Sequence, residues 1–141
     1  MCIRDSSCTE CGRCTSECPA NQTGKKLSPR KIMMDTRDRL EKVSINISNN
    51  KGKFVDDGDR LLDNYISKEE LWACTSCNAC VEACPINIDP LSIIMDMRQY
   101  LIMEESSAHP DLNNMMNNIE NNGAPWPYNQ LDRELWVQET K

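Results

Sequence analysis

Cys74-Thr-Ser-Cys77-Asn-Ala-Cys80-Val-Glu-Ala-Cys84-Pro85 follows the same spacing as an earlier stretch, Cys8-Thr-Glu-Cys11-Gly-Arg-Cys14-Thr-Ser-Glu-Cys18-Pro19. Both read C-x2-C-x2-C-x3-C-P, and 66 residues separate Cys8 from Cys74. Three cysteines at intervals of three let one loop wrap around an inorganic cluster, with three thiolates reaching metal and the intervening amides pointing inward. A fourth cysteine four residues on, followed by proline, is carried away from that loop.

This spacing is the one that holds [4Fe-4S] clusters, and two copies predict two clusters. In two-cluster proteins built on this run the fourth cysteine ligates the other cluster. The expected ligand sets are therefore Cys8, Cys11, Cys14 and Cys84 for the first cluster, and Cys74, Cys77, Cys80 and Cys18 for the second. Neither half would then fold alone. Structural zinc is the main competitor for these thiols, but it normally uses two cysteine pairs split by a longer insert. The residue after the second cysteine is Gly12 in one run and Asn78 in the other. These residue types enter the left-handed backbone region at least cost, so both loops are predicted to turn there with positive φ.

The chain has 141 residues but only one Phe, three Trp and three Tyr, so apolar burial is thin for its length. The clusters must then contribute to folding, and the iron-free chain is expected to be largely disordered. Nine cysteines, an odd count, argue for metal in a reducing compartment over a disulfide framework. No apolar run approaches the roughly 18 residues that span a bilayer, and no secretory signal is present. The expected location is cytoplasmic, or the inner face of the membrane through a partner. The formal charge is −6, and each oxidised cluster with four thiolates adds about −2. That balance excludes nucleic acid as a partner and fits docking on a basic redox partner.

Outward from the runs, the pattern is helical. Ser28-Pro29 reads as N-cap and first helical position. Ile32, Thr36, Leu40, Val43 and Ile47 then mark an amphipathic helix of about four turns, fraying before Asn49. Residues 53–58 read as an extended segment or turn. Ser67-Lys-Glu-Glu70 is a capping box that leads through Leu71 and Trp72 into the second run. Trp72 reads as a ring shielding a cluster or as ordinary core packing. Asp89-Pro90 opens a helix to about Glu105 with Leu91, Ile94, Met95, Leu101 and Ile102 on one face. Each half thus runs from cysteines through Cys-Pro-x-Asn to a cap, a proline and a helix, which predicts a pseudo-twofold unit. A third helix is expected over Pro110 to Asn122, stopped by Gly123. The Pro125-Trp-Pro-Tyr128 strip reads as an exposed docking site or as packed back onto the domain, and packing is the favoured expectation. The methionines read as packing residues, and His109 as a loop residue without chemistry.

The predicted fold class is all-α. Residues 1–6 read as a leader foreign to the domain, with Cys2 the odd cysteine; residues 7–105 form the dicluster domain, and 106–141 a helical and extended C-terminal extension. No glycine-rich phosphate loop, nucleophile-base pair or matched carboxylates are visible, and eight cysteines fill all the iron positions. The chemistry expected is one-electron transfer, with no catalytic residue in this chain and no catalysis by it alone. Two alternatives are a cluster-stabilised interaction module without redox duty, and a disulfide reductase using the non-ligand Cys2.

The two runs, 55 residues apart with a largely helical pattern between them, resemble the α-helical ferredoxin module. More narrowly, Lys68 to Pro90 is similar to the iron-sulfur subunits of the heterodisulfide reductase type and their relatives. Those relatives include the iron-sulfur subunits of anaerobic glycerol-3-phosphate dehydrogenase and glycolate oxidase. The resemblance implies a relay between a flavin- or quinone-linked redox subunit and a terminal site, within a peripheral membrane complex in some members. Longer relatives continue into cysteine-rich CCG catalytic domains. No cysteine follows Cys84 here, so the resemblance implies a fragment, or a catalytic domain carried on another chain.

Overall fold

The computed structural model describes residues 7–140, and every regular element among them is helical. The expected leader and Cys2 lie outside the described residues. The chain divides into two compact units, Met1–Tyr100 and Leu101–Lys141.

In the first unit, two short helices follow the first cysteine loop: α1 (Arg13–Ser16) and α2 (Pro19–Gln22). Helix α3 (Pro29–Asn49) begins as expected, with Ser28 as N-cap accepting from the Lys31 amide and Pro29 at its first position. Thr15 ties that start to the cysteine run. Its hydroxyl lies 2.9 Å from Ser28 Oγ and accepts from the Arg30 amide at 3.3 Å.

Helix α3 has 21 residues, about six turns instead of four. Ile32 and Met33 in its first turns are fully buried, whereas Leu40 is 42% exposed. The expected apolar face is therefore fully buried at one end only, with Thr36, Val43 and Ile47 half-buried. Farther along, polar bonds hold the helix to the following segment: Arg39 pairs in a fork with Asp57, through Nη1 to Oδ2 at 2.6 Å and Nη2 to Oδ1 at 2.8 Å. Residues 53–58 contain no regular element, in keeping with the sequence.

A tight turn at residues 61–66 buries Leu62 and Ile66 and leads to α4 (Lys68–Ala73), whose N-terminus carries the full capping box between Ser67 and Glu70. Glu70 is also the partner of Lys31, Nζ to Oε1 at 2.7 Å, which fastens α4 to the start of α3. After the second cysteine loop come α5 (Ala79–Glu82) and then α6 (Pro90–Met103), whose residues from Leu101 on belong to the second unit. Asp89 caps α6 by accepting from the Ser92 amide at 2.9 Å. Its buried stripe is Pro90, Ile94, Met97 and Leu101, while Met95 is exposed. The sequence pattern puts Met95 on the packed face; a stripe at intervals of three and four selects Met97 instead.

The second unit contains α7 (Pro110–Asn122), capped by His109 and ended by Gly123 at φ 64°. The chain then turns back: Arg133 Nη2 donates to the Gly123 carbonyl at 2.8 Å, and Gln130 Nε2 to that of Asn122 at 3.2 Å. A 3-10 turn (Gln130–Glu134) and α8 (Leu135–Glu139) follow. Trp126 and Tyr128 are exposed, so the Pro-Trp-Pro-Tyr strip is not packed as expected. Its alternating prolines hold an irregular backbone with no ladder or helix to seat the rings.

Candidate iron-sulfur site

The two cysteine loops have the same backbone. Two residues past the first cysteine, Glu10 and Ser76 have φ of 57° and 56°; two residues further, Gly12 and Asn78 have 82° and 62°. Gly12 and Asn78 then serve as the left-handed N-caps of α1 and α5. Alternating signs of φ turn successive amides toward one side, the concave arrangement that binds anions such as an iron-sulfur cluster. In the second loop the Ser76 amide already points at Cys74 Sγ at 3.4 Å. The Ile88 amide likewise lies 3.3 Å from Cys84 Sγ.

The cysteines gather across the halves. Cys8, Cys11, Cys14 and Cys84 line one small cavity, walled by Met33, Ile86 and Ile88 and edged by Arg30. Helices α1 and α5 abut, so that Cys14 on one approaches Cys80 on the other. Burial pushes the Cys80 thiol up to about 11, with further increments from the neighbouring Cys74, Cys18 and Cys14 thiols. Burial also raises Cys14, beside Cys8 and Cys11. Cys77 behaves oppositely: the Ala79 amide and the Thr75 hydroxyl stabilise its thiolate and lower its pKa. Cys18 and Cys80 are buried, and Cys11 and Cys77 are exposed.

The residues of the first expected set thus share one cavity, while of the second set Cys74 and Cys18 neighbour Cys80; the chemistry of these thiols fits an iron-sulfur cluster. Buried, crowded thiols resist ionisation, and bonding to iron offsets that cost by holding them as thiolates. The concave amides then meet the net negative charge that remains. The exposed middle cysteine of each run leaves one edge of each site near solvent.

Each loop is also held by an arginine that the sequence did not single out. Arg37, on α3, pairs with the Glu10 carboxylate through Nη2 at 2.5 Å. Arg98, on α6, donates from Nε and Nη2 to the Leu71 carbonyl at 3.0 and 2.6 Å, and from Nη2 to the Cys74 carbonyl at 2.5 Å. Its Nη1 lies 3.4 Å from Ser76 Oγ. Its guanidinium also stacks over the Trp72 ring, 5.0 Å from the centroid. Trp72 is partly exposed, so it is a platform for Arg98 and not the packed core residue that was one expectation. Nothing local in the sequence marks either arginine, because these partners lie 22 to 27 residues away.

Comparison with known proteins finds iron-sulfur relatives. The chain is 32% identical to a probable iron-sulfur-binding oxidoreductase, FadF, of Bacillus subtilis, over 94% of this chain and 23% of the relative. It is 28% identical to an EtfAB:quinone oxidoreductase of Syntrophomonas wolfei, over 94% of this chain and 21% of the relative. It is 29% identical to an iron-sulfur subunit of a CoB-CoM heterodisulfide reductase of Methanocaldococcus jannaschii, over 72% of this chain and 42% of the relative. The chain thus spans about a fifth to a quarter of the first two relatives. No helix among the described residues is long and apolar enough to cross a membrane. Residues 7–88, which contain both cysteine runs and the loops just described, match the 4Fe-4S dicluster domain model; the chain belongs to that family, and its cofactors are two [4Fe-4S] clusters.

Proposed function

We propose that this iron-sulfur module relays single electrons between two [4Fe-4S] clusters inside a larger oxidoreductase of the heterodisulfide reductase type. The observation that carries the reading is the shared cavity of Cys8, Cys11, Cys14 and Cys84, which brings the last cysteine of one run to the first three of the other. It supports the crossed ligand sets, with Cys84 serving the first cluster and Cys18 joining Cys74, Cys77 and Cys80 at the second. When bound, each cluster supplies a one-electron couple. The protein's part is to fix the two sites against each other through α1 and α5, to exclude water from Cys18 and Cys80, and to aim amides at the sulfur atoms.

The partners proposed are a flavin- or quinone-linked redox subunit on one side and a CCG-type catalytic domain or subunit on the other. Relatives named as a quinone oxidoreductase and as a heterodisulfide reductase iron-sulfur subunit support that setting. In domain terms, residues 7–105 carry the relay, and 106–141 lead toward the catalytic part. The proposed location is the cytoplasm, at the membrane's inner face where a partner holds it there.

Anaerobic reconstitution followed by redox-poised EPR tests the relay. Two reversible one-electron signals are expected, and no reversible reduction over the accessible range would overturn it. Cys18→Ser is expected to perturb mainly the cluster of Cys74, Cys77 and Cys80. Selective loss of the cluster at Cys8, Cys11 and Cys14 would refute the crossing.

A further inference from the structure

The two cysteine loops share a backbone but not an electrostatic surrounding. In the first loop, the residue two past the leading cysteine is Glu10, whose carboxylate pairs with Arg37. In the second loop the same place is held by Ser76, and the arginine that reaches it is Arg98. The partners of Arg98 are the carbonyls of Leu71 and Cys74, the Ser76 hydroxyl, the Met95 sulfur and the Trp72 ring. All of these are uncharged. They orient the guanidinium without cancelling its charge, whereas the guanidinium at Glu10 faces an anion.

We propose that Arg98 is a positioning and potential-setting residue for the second cluster. Its fork holds the Leu71 and Cys74 carbonyls so that the loop keeps the curvature its amides need. Its full positive charge favours the reduced, more negative state of the cluster at Cys74, Cys77 and Cys80. On one-electron reduction the net charge of the cluster with its thiolates goes from about −2 to about −3. A fixed cation beside the loop stabilises the second value more than the first, by Coulomb attraction in a partly buried setting. The electron comes from the donor, dithionite in the test, and no proton need accompany it. The inference rests on the proposed ligand set of the second cluster.

The physics separates the two roles. A fork of planar donors can hold two carbonyls at once, while a lysine ammonium supplies the charge as a single point. Arg98→Lys should therefore keep most of the potential and lose most of the clamp. Arg98→Gln should lose both.

The experiment uses the full chain, reconstituted anaerobically and titrated with dithionite under EPR. A Cys77→Ser sample identifies which signal belongs to the second cluster. Arg39→Gln, at the ion pair with Asp57, is the control for a lost cation that bonds to neither loop. In Arg98→Gln the second cluster should fall in potential so that its reduced-to-oxidised ratio at a fixed ambient potential drops about tenfold, or 59 mV for one electron. The first cluster should stay where it is. Bleaching of the second cluster by an iron chelator should also quicken, in Arg98→Gln and in Arg98→Lys alike. Arg98→Lys should restore the midpoint.

Unchanged midpoints and unchanged bleaching in Arg98→Gln would overturn the inference, as would an equal shift of both clusters or the same shift in Arg39→Gln. A wild-type protein without reversible signals would instead overturn the relay itself, so the two failures are distinguishable.

Discussion

Glu10 and Ser76 occupy the same position in the two cysteine loops and share a left-handed backbone, with φ of 57° and 56°. Neither is glycine, and both are followed two residues later by a second left-handed position, Gly12 or Asn78. Each loop therefore holds two conformations that most residues avoid. A concave arrangement of loop amides requires that geometry, and the residue types at 12 and 78 adopt it at little cost.

That equivalence predicts an exchange. At Gly12 an added Cβ would meet only Arg30 Nη1, at 4.0 Å, so space is not the constraint and φ is. Gly12→Asn should be well tolerated, since asparagine already serves at the matching position in the second loop. Gly12→Val should cost about 1–2 kcal/mol of local backbone strain and weaken the cluster proposed at Cys8, Cys11 and Cys14. Iron and sulfide content after reconstitution, with the rate of chelator bleaching, would read the difference. Equal behaviour of the two variants would show that φ at this residue does not matter.

The features legible in the sequence were those written locally. The cysteine spacing, the Ser28-Pro29 start, the Ser67–Glu70 capping box and the Gly123 stop each depend on residues a few places apart, and each appears in the structure. Leu40 shows the first limit. Helical periodicity says which residues share a face, but not what meets it: after Met33 no residue of α3 is fully buried, and the following segment meets it through polar bonds such as that of Arg39 with Asp57. Arg98 shows the second limit. Its function depends on main-chain carbonyls of distant residues, and a carbonyl has the same chemistry whatever side chain it accompanies.

Glu70 joins two of these local devices and links stability to pH. Burial opposes its ionisation, but the bonds from Lys31 and from Ser67 together outweigh that and lower its pKa below the usual 4.5. For Lys31, burial alone would lower the pKa, and the bonds to Glu70 and Asp35 overcome it, so the pKa is raised above 10.5. Because the folded pKa of Glu70 is depressed, its contribution is complete above the unfolded value and is lost as pH falls through the folded value. The raised pKa of Lys31 contributes fully below its unfolded value and is lost only as pH rises through its folded one.

Glu70→Gln should thus cost about 1 kcal/mol at neutral pH, discounted because Lys31 is half exposed. After a jump to a chosen pH, cluster bleaching in the variant should be several-fold faster than wild type at pH 6. The gap should narrow as the final pH drops below 4.5. A gap that stayed constant, or widened in acid, would contradict the linkage.

Removal of iron tests how far the protein side chains can hold the fold by themselves. Among the described residues no Phe, Trp or Tyr is buried, so the side chains that usually bury about 150–250 Å² each add little core here. The largest fully buried aliphatic side chains of the first unit are Ile32, Met33, Ile66, Leu71 and Ile94. Three of its helices, α1, α2 and α5, have four residues each, too short to persist without tertiary support. Two further buried residues, Cys18 and Cys80, are cluster ligands in the proposed assignment. Without iron their thiols lose the bonds that tie the first run to the second, while the entropy cost of ordering the loops remains. The iron-free chain should therefore give a broad urea transition with little cooperativity and reduced helical circular dichroism. Reconstitution should restore a single steep transition. A cooperative melt of near-normal midpoint in the iron-free protein would show that α3, α4 and α6 pack independently, and that the clusters are guests in a preformed fold.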